Sequence, residues 1–142
     1  MIGAILARRQ ARAQFALLNA HDLEGFMKGI ADDVVFDFPG QSGQHVGKAA
    51  VRAFFRSMLD QHPEIHFTLR HVAVEDIFSM GGTNTLLVEW DLDYTNLAGQ
   101  MFHNSGVTSG IARRGKIVRL RDYLFDWVAL AEANAPEPDA LA

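Results

Sequence analysis

The stretch QMFHNSGVTSGIARRGKIVRLRDYLFDW, residues 100–127, alternates apolar and polar side chains on both sides of the turn RRGK. Such alternation is typical of two antiparallel β-strands joined by a tight turn. In the second strand Val118, Leu120 and Leu124 share one face, and Asp122 falls in step with them. A carboxylate on an otherwise apolar face requires a structural or a chemical explanation.

The sequence on the N-terminal side extends this pattern into a whole domain. EIHFTLRHVAVEDIF and TLLVEWDLDYTN predict two further strands, which complete a four-strand antiparallel meander. Upstream, helical spacing predicts three helices: residues 4–20, a short helix capped by Asp22, and GKAAVRAFFRSMLDQH. The strand VVFDFPG precedes a polar loop from Gln41 to Val46. We therefore expect an α+β fold with one domain over residues 1–134 and a flexible C-terminal tail over residues 135–142.

Composition excludes several classes of function. The 142 residues are 49% apolar, enough for one core, and the formal net charge of −4 offers no electrostatic basis for binding nucleic acid or an anionic membrane surface. No stretch approaches the ~20 consecutive apolar residues of a spanning helix. The N-terminal arginines follow the apolar run, the reverse of a secretory signal, so we expect a cytoplasmic protein. The absence of cysteine excludes disulfides and thiolate sites.

Three segments carry a resemblance to a known family: LNAHDLEGFMKGIADDVVFDFPG, GKAAVRAFF and RGKIVRLRDYLFD. Together they resemble the SnoaL-like branch of the nuclear-transport-factor-2-like, or ketosteroid-isomerase-like, superfamily, over roughly residues 13–127. The resemblance implies a cystatin-like cone, in which a curved mixed β-sheet wraps around a pocket with three N-terminal helices. It implies little about the reaction, because this fold hosts many chemistries as well as non-catalytic binders.

The catalytic residues of the relatives carry over only in part. Limonene-type epoxide hydrolases use two aspartates bridged by an arginine, and the resemblance places the aspartates at Asp91 and Asp122 and the arginine at Glu89. Their water-holding tyrosine and asparagine correspond to Phe36 and Phe38.

The isomerase and cyclase sets are also incomplete. The isomerases' proton-shuttling aspartate corresponds to Phe38 and their tyrosine on the first helix to Gln14. The fourth-strand aspartate of the isomerases and of the polyketide cyclases falls near Val107 or Thr108.

Alternation on the predicted third strand places Glu89 and Asp91 on one face and Trp90 and Leu92 on the other. Two interpretations remain open. In one, the acidic face is solvated and the apolar face is buried. In the other, which the resemblance favours, the acids face into the cone, and Trp90 and Leu92 lie on an outer face that a homodimer covers.

On the second interpretation, burial raises the pKa of Asp122, and a nearby Asp91 or Glu89 raises it further. One protonated and one ionised carboxyl would then serve acid–base catalysis, with Asp122, Asp91 and Glu89 as the catalytic residues. The alternative for Asp122 is a salt bridge to Arg119 or Arg121.

An apolar pocket with few polar groups is typical of small-molecule sites. The residues we expect to line it are Phe15, Phe36, Phe38, Met58, Asn104, Leu120 and Leu124. Simple core packing remains the alternative for most of the phenylalanine and methionine side chains among them. Asn104 has the inward parity, whereas His103 is expected on the outer face; a structural role for the Asn104 amide remains open. The six histidines show no metal-ligand spacing, so no metal or other cofactor is expected.

The sequence thus predicts a homodimeric enzyme that performs cofactor-independent acid–base chemistry on a small, apolar, oxygen-bearing molecule. Isomerisation, dehydration, cyclisation and hydrolysis all remain open. The alternative is a non-catalytic small-molecule-binding or dimerisation module of the same fold. An accessory subunit of a larger oxygenase is a third possibility, which rests on fold analogy alone.

Overall fold

The computed structural model describes residues 2–40, 43–76 and 82–135. The helices within these residues are α1 (Ile2–Asn19), α2 (Leu23–Lys28), α3 (Lys48–Gln61) and α4 (Trp127–Ala133). The strands are β1 (Ile30–Asp37), β2 (His45–Val46), β3 (Ile65–Val74), β4 (Thr83–Thr95), β5 (Met101–Arg113) and β6 (Lys116–Leu124).

The strands form one mixed sheet in the order β2-β1-β6-β5-β4-β3. The four strands β3 to β6 are antiparallel neighbours in sequence, as the meander predicted, whereas β1 pairs with β6 in parallel. Helix α3 follows β2 in the chain and packs on β1, whereas α1 packs on β3. The expected α+β class with a curved mixed sheet is confirmed.

The hydrophobic core lies between the inner face of the sheet and the helices. Phe36 on β1 is fully buried and contacts Phe54 and Phe55 of α3, with ring centroids 4.8 Å and 5.4 Å away. On the other side of the core, Phe67 of β3 meets the ring of Phe15 from α1 edge-on at 5.2 Å. Burial of such aromatic faces is the main force that closes the helices onto the sheet.

The β5–β6 pairing steps by one residue at Val118. Ile111 lies opposite Arg119 and Ala112 opposite Ile117, so Val118 is the extra residue of a β-bulge. As a result Ile117, rather than the predicted Val118, lines the interior beside Leu120.

Two short elements differ from the sequence prediction. The loop Gln41–Val46 contains the two-residue strand β2, which pairs with β1. After Asp126 the chain forms the seven-residue helix α4, whose first turn is capped by a hydrogen bond from the Ala129 amide to the Asp126 carboxylate at 3.0 Å. Most of the predicted flexible tail, residues 136–142, lies outside the described residues. None of the described helices has the length and apolar character needed to cross a membrane.

Candidate functional site

Asp122 occupies the inner face of β6, between the two inward-facing residues Leu120 and Leu124. Its side chain is half-buried and borders two cavities that lie between the sheet and the helices. The alternation read from the sequence therefore holds for these three residues. The neighbouring arginines, Arg119 and Arg121, point to the opposite face and do not pair with Asp122.

A chain of two hydrogen bonds reaches Asp122 from the interior of the sheet. The indole Nε1 of Trp90 donates to Thr108 Oγ1 at 2.9 Å, and Thr108 Oγ1 donates to Asp122 Oδ1 at 2.6 Å. An indole nitrogen can only donate, so the Thr108 oxygen must accept from it and its own hydrogen points to the carboxylate. We call the two hydrogen bonds from Trp90 through Thr108 to Asp122 the relay. Trp90 is only 2% exposed, and its burial holds the relay in place.

Gly106 makes the relay possible. It lies directly opposite Trp90 in the β4–β5 pairing, two residues before Thr108. A Cβ atom at Gly106 would come within 2.7 Å of the indole ring and 2.3 Å of the Tyr123 carbonyl oxygen. Only glycine therefore lets the indole lie across β5 and reach the Thr108 hydroxyl.

The relay fixes which oxygen of Asp122 carries a proton. Oδ1 accepts the hydrogen bond from Thr108, so a proton taken up by the carboxyl resides on Oδ2, which has no partner among the described residues. Burial raises the pKa of Asp122 from 3.8 to about 6, and the hydrogen bond from Thr108 opposes that rise because it stabilises the anion. Oδ2 can thus gain or lose a proton close to neutral pH.

The first cavity beside Asp122 is narrow and almost wholly apolar. It encloses about 90 Å³ between α1 and the inner face of the sheet. Its apolar lining includes Phe15, Phe36, Met58, Phe67, Val88 and Leu120, and its polar side chains are Gln10, Gln14, Thr108 and Asp122.

The second cavity is wider and more polar. It encloses about 430 Å³ and is bounded by α3, α4 and the strands β3 to β6. Its lining includes Phe38, Met58, Leu124, His62, Tyr94 and Asn104, together with Asp122. Because Asp122, Met58 and Phe67 border both cavities, one ligand can contact the carboxyl from either side.

The comparison with known proteins agrees with this architecture. The family model of the SnoaL-like domain matches residues 11–120, most of the chain. The chain belongs to the SnoaL-like domain family. No curated protein matches the sequence.

Solved structures place this SnoaL-like protein among nuclear-transport-factor-2-like folds. It is similar to TerC, co-crystallised with polyporic acid, at 26% identity over 93% of this chain and 95% of that one, with a TM-score of 0.69. A putative isomerase from Bacillus subtilis shares 25% identity over 89% and 91% of the two chains, with a TM-score of 0.72. An NTF2-like protein of unknown function from Burkholderia pseudomallei shares 20% identity over 91% and 97%, with a TM-score of 0.74.

The expected carboxylate pair does not form in this SnoaL-like domain. Asp91 lies on the outer face of β4, where its carboxylate binds the Arg70 guanidinium, and Glu89 on the same face accepts from His71 Nδ1 at 2.7 Å. Neither borders either cavity. The prediction that they face inward was wrong, since the side chains that fill the interior from β4 are Trp90 and Leu92. Burying an indole and a leucine is favourable, whereas burying two carboxylates is costly.

The residues predicted to line a pocket do lie at the cavities. Phe15, Phe36, Met58 and Leu120 border the first, and Phe38, Met58, Asn104 and Leu124 border the second. Space remains beside Asp122, so these side chains do not fill the interior.

Asn104 has a structural role in its present arrangement. It is 2% exposed, donates to the Asp126 carbonyl at 2.8 Å and accepts from the Asp126 amide at 3.1 Å. These bonds fix the entry into α4. His103, as expected, is on the outer face, where it contacts Asp93.

Several polar residues of the site were not assigned from the sequence. Trp90 and Thr108 form the relay, and His62 and Tyr94 border the second cavity. His62 Nδ1 donates to the Thr95 carbonyl at 2.9 Å, and burial lowers its pKa, so His62 is a neutral ring near neutral pH. The shared parity of Asn104, Gly106 and Thr108 was a usable signal, but the reach of Trp90 across a glycine required the strand register. Within the described ranges, no three metal-ligating side chains come together.

Proposed function

We propose that this SnoaL-like protein is an enzyme that moves a proton on a small, largely apolar, oxygen-bearing molecule, with Asp122 as the proton acceptor and donor. The observation that carries the proposal is the position of Asp122: the residue borders both cavities, the relay occupies Oδ1, and Oδ2 has no partner among the described residues. The raised pKa of Asp122 supports it.

The charge state of Asp122 decides its role at each step. Above a pH of about 6 the carboxylate predominates and accepts a proton from the substrate, for example from a carbon next to a carbonyl group. The electrons of the broken C–H bond pass into an enolate. Protonated Oδ2 then returns the proton to the same molecule, at the original atom or at another one.

A single carboxyl favours this proton shuttle over hydrolysis through a carboxylate pair. Asp91 and Glu89, the candidates for a second acid, lie on the opposite face of the sheet. Among the described residues that line the cavities, Asp122 is the one carboxylate. Isomerisation, or a cyclisation or dehydration that begins with loss of a proton, needs no second carboxylate.

The relatives support the substrate class. TerC was crystallised with polyporic acid, and the Bacillus subtilis relative is described as a putative isomerase. The aromatic lining of both cavities suits a ring system of this general kind, because aromatic side chains pack on flat apolar ligands.

Solvent exchange into a bound ketone tests the proposal without knowledge of the substrate. 2-Tetralone has an apolar bicyclic body and acidic hydrogens next to its carbonyl, and their replacement by deuterium in D2O is followed by proton NMR. We expect the protein to accelerate this exchange, and the Asp122→Asn variant to bind 2-tetralone without accelerating exchange. Equal exchange with the wild type and the variant would exclude Asp122 as the base.

The second candidate is a non-catalytic binding module. It is favoured by Phe36 and Phe38, which occupy positions where the hydrolase relatives carry polar catalytic residues and which here border the cavities. A protein that binds 2-tetralone and polyporic acid tightly but accelerates no exchange at any pH from 5 to 8 would support it.

We also propose a homodimer through the outer face of the sheet, as the resemblance implies. Trp90 and Leu92 do not contribute to that face, because both are buried inside. The half-exposed apolar side chains of Leu87 and Tyr123 lie there instead and would be the contact. Sedimentation analysis of Leu87→Glu tests this: a shift from dimer to monomer supports the interface, and a wild-type monomer excludes it.

A further inference from the structure

Gln14 lines the first cavity and carries a buried amide oxygen that has no hydrogen-bond partner among the described residues. The side chain is 9% exposed and lines the cavity that also contains Asp122. Its Oε1 atom is out of contact with solvent and accepts no hydrogen bond within the described part of the chain. A buried acceptor left unpaired costs the folded protein free energy, so its retention calls for an explanation.

The residues of α1 that face the sheet leave space for the first cavity, and Gln14 is the polar exception among them. Ala11 and Ala7, one and two turns before Gln14, also line the cavity, and their small side chains leave room between the helix and the sheet. The next residue on this face of α1 is Gln14, which carries an amide. An apolar side chain at this position would pack in the interior without leaving a polar atom unpaired.

The backbone at Gly29 packs against the Gln14 amide and holds it in place. A Cβ atom at Gly29 would lie 1.9 Å from Gln14 Nε2, so the amide rests directly on the backbone at the end of α2. Gly29 has an ordinary helical backbone, with φ of −81°, which means that this glycine provides space and not an unusual conformation. The amide is therefore seated by the fold.

Two other polar groups of this cavity already have hydrogen-bond partners. The Thr108 hydroxyl both accepts and donates within the relay, and the Gln10 amide donates to the Gly115 carbonyl at 2.7 Å. Among the described lining residues, Gln14 Oε1 is a buried acceptor without a partner, and Asp122 Oδ2 is an acceptor that the relay does not use.

We propose that Gln14 is a specificity residue that accepts a hydrogen bond from a hydroxyl group of the ligand while Asp122 acts on another part of the same molecule. The proposal rests on the proposed proton-transfer function and narrows its substrate class to hydroxylated apolar molecules, such as phenols or alcohols that also carry a carbonyl group. The amide oxygen becomes accessible by rotation about the terminal torsion of the side chain, which has a broad and shallow energy profile. A hydroxyl then supplies the donor that the folded chain does not.

Matched ligands test this preference by calorimetric titration. The probes are 6-hydroxy-2-tetralone, 6-methoxy-2-tetralone and 2-tetralone, which share one ring system. We expect the wild type to bind the hydroxyl compound about tenfold more tightly than the other two. Gln14→Met, which keeps the length and flexibility of the side chain, should lose that preference and leave the affinity for the other two unchanged. An equal loss for all three, or a wild type without preference, would overturn the proposal.

A second variant changes the position of the amide and not its chemistry. Gly29→Ala forces the Gln14 amide away from its seat, at little cost because the displaced atom is the end of a flexible side chain. We expect this variant to remain folded and to reduce the preference for the hydroxyl compound. An unchanged preference in folded Gly29→Ala would contradict a seated amide.

Thermal unfolding without ligand provides a test that requires no binding. Because Gln14→Met removes an unpaired buried acceptor, it should raise the Tm of the free protein, by about 4 °C. Gln10→Met, the same substitution one turn earlier, removes a satisfied amide and should not raise it. A lower Tm for Gln14→Met would show that the amide has a partner within the protein.

The two proposals fail in different ways. Exchange that depends on Asp122, without a preference for the hydroxyl compound, would overturn the role of Gln14 alone. A preference that depends on Gln14, with no exchange by the wild type, would overturn the catalytic role of Asp122 and keep the binding role of Gln14.

Discussion

Asp37 and Asp122 lie on neighbouring strands but on opposite faces of the sheet. On the outer face, Asp37 Oδ2 accepts from Arg119 and Arg121 at 3.1 Å each, and Oδ1 accepts from Gln44 at 2.6 Å. The hydrogen bond from Gln44 is the largest effect on the pKa of Asp37 and lowers it. Burial, the next largest, raises the pKa, and the hydrogen bonds from Arg119 and Arg121 add to the lowering, so the net pKa is below the ordinary aspartate value.

Asp122, on the inner face, has one neutral donor and no cation within the described chain. Desolvation therefore outweighs the hydrogen bond from Thr108, and its pKa rises to about 6. The comparison teaches that the face of the strand, and not the residue type, decides whether an aspartate here is a permanent anion or a group that exchanges protons.

The largest expected effect is on catalysis. Asp122→Asn should slow deuterium exchange into 2-tetralone by about a hundredfold or more, because general acid–base groups contribute ~10²–10⁴ to rates. Asp91→Asn removes a carboxylate of the outer face and should retain the wild-type rate. Both rates are measured by NMR on variants with native circular dichroism. A loss of rate in Asp91→Asn and not in Asp122→Asn would reverse the assignment of the faces.

The second effect is on stability as a function of pH. The folded protein binds a proton at Asp122 more tightly than the unfolded chain, so stability should fall as the pH rises from 3.8 to about 6. The rise in pKa corresponds to up to about 3 kcal/mol. Urea unfolding at pH 4.5 and pH 7.5 should therefore show a smaller loss of stability in Asp122→Asn than in the wild type.

Parallel stability curves for the two proteins would contradict a raised pKa. The comparison between variants removes the opposing contributions of Asp37 and His62. The lowered pKa values of those two groups make stability fall as the pH drops, in the wild type and the variant alike.

A smaller effect concerns the relay. Thr108→Val removes the hydroxyl that stabilises the Asp122 anion, so the pKa of Asp122 should rise further and the pH dependence of exchange should move to higher pH. Thr108→Ser keeps the hydroxyl and should preserve the wild-type profile. A shift to lower pH in Thr108→Val, or the same shift in both variants, would mean that the hydroxyl does not act on the carboxylate as described.

The smallest effect is expected on the outer face. Arg121→Gln removes one of the two cations at Asp37, so the pKa of Asp37 should move upward, toward its ordinary value. Arg113→Gln, which breaks the pair with Asp33 instead, serves as the control and should leave Asp37 unchanged. Carboxyl carbon shifts measured by NMR against pH report both variants. An unmoved pKa of Asp37 would mean that Arg121 does not contribute and would assign the lowering to Gln44 and Arg119.

The sequence was sufficient for the fold and for the face of β6. Period-2 alternation placed Leu120, Asp122 and Leu124 together because the pleat of a strand leaves no other arrangement. Helical spacing predicted α1, α2 and α3, because a period of 3.6 residues brings their apolar side chains to one face. The β-bulge at Val118 could not be predicted from the sequence of β6, since it depends on the pairing with β5.

Alternation grouped the residues of β4 correctly but could not tell which group faces inward. Burial of the Trp90 indole lowers the free energy of the folded protein, whereas an arrangement with Glu89 and Asp91 inside would bury two carboxylates at a high cost. This difference decides which face of β4 is inward. The relay to Asp122 depends on cross-strand register, with Trp90 opposite Gly106, and no local pattern encodes that pairing. Helix α4 was missed although Asp126 caps it as Asp22 caps the shorter α2, because the residues up to Trp127 were assigned to the preceding strand.

The titration of the Asp122 carboxyl carbon, followed by NMR in the free protein and assigned with Asp122→Asn, tests the central claim most directly. A midpoint near pH 6 is the predicted result. A midpoint at or below the ordinary aspartate value would mean that the carboxyl is solvated or paired with a cation, and would contradict a proton donor inside the cavity.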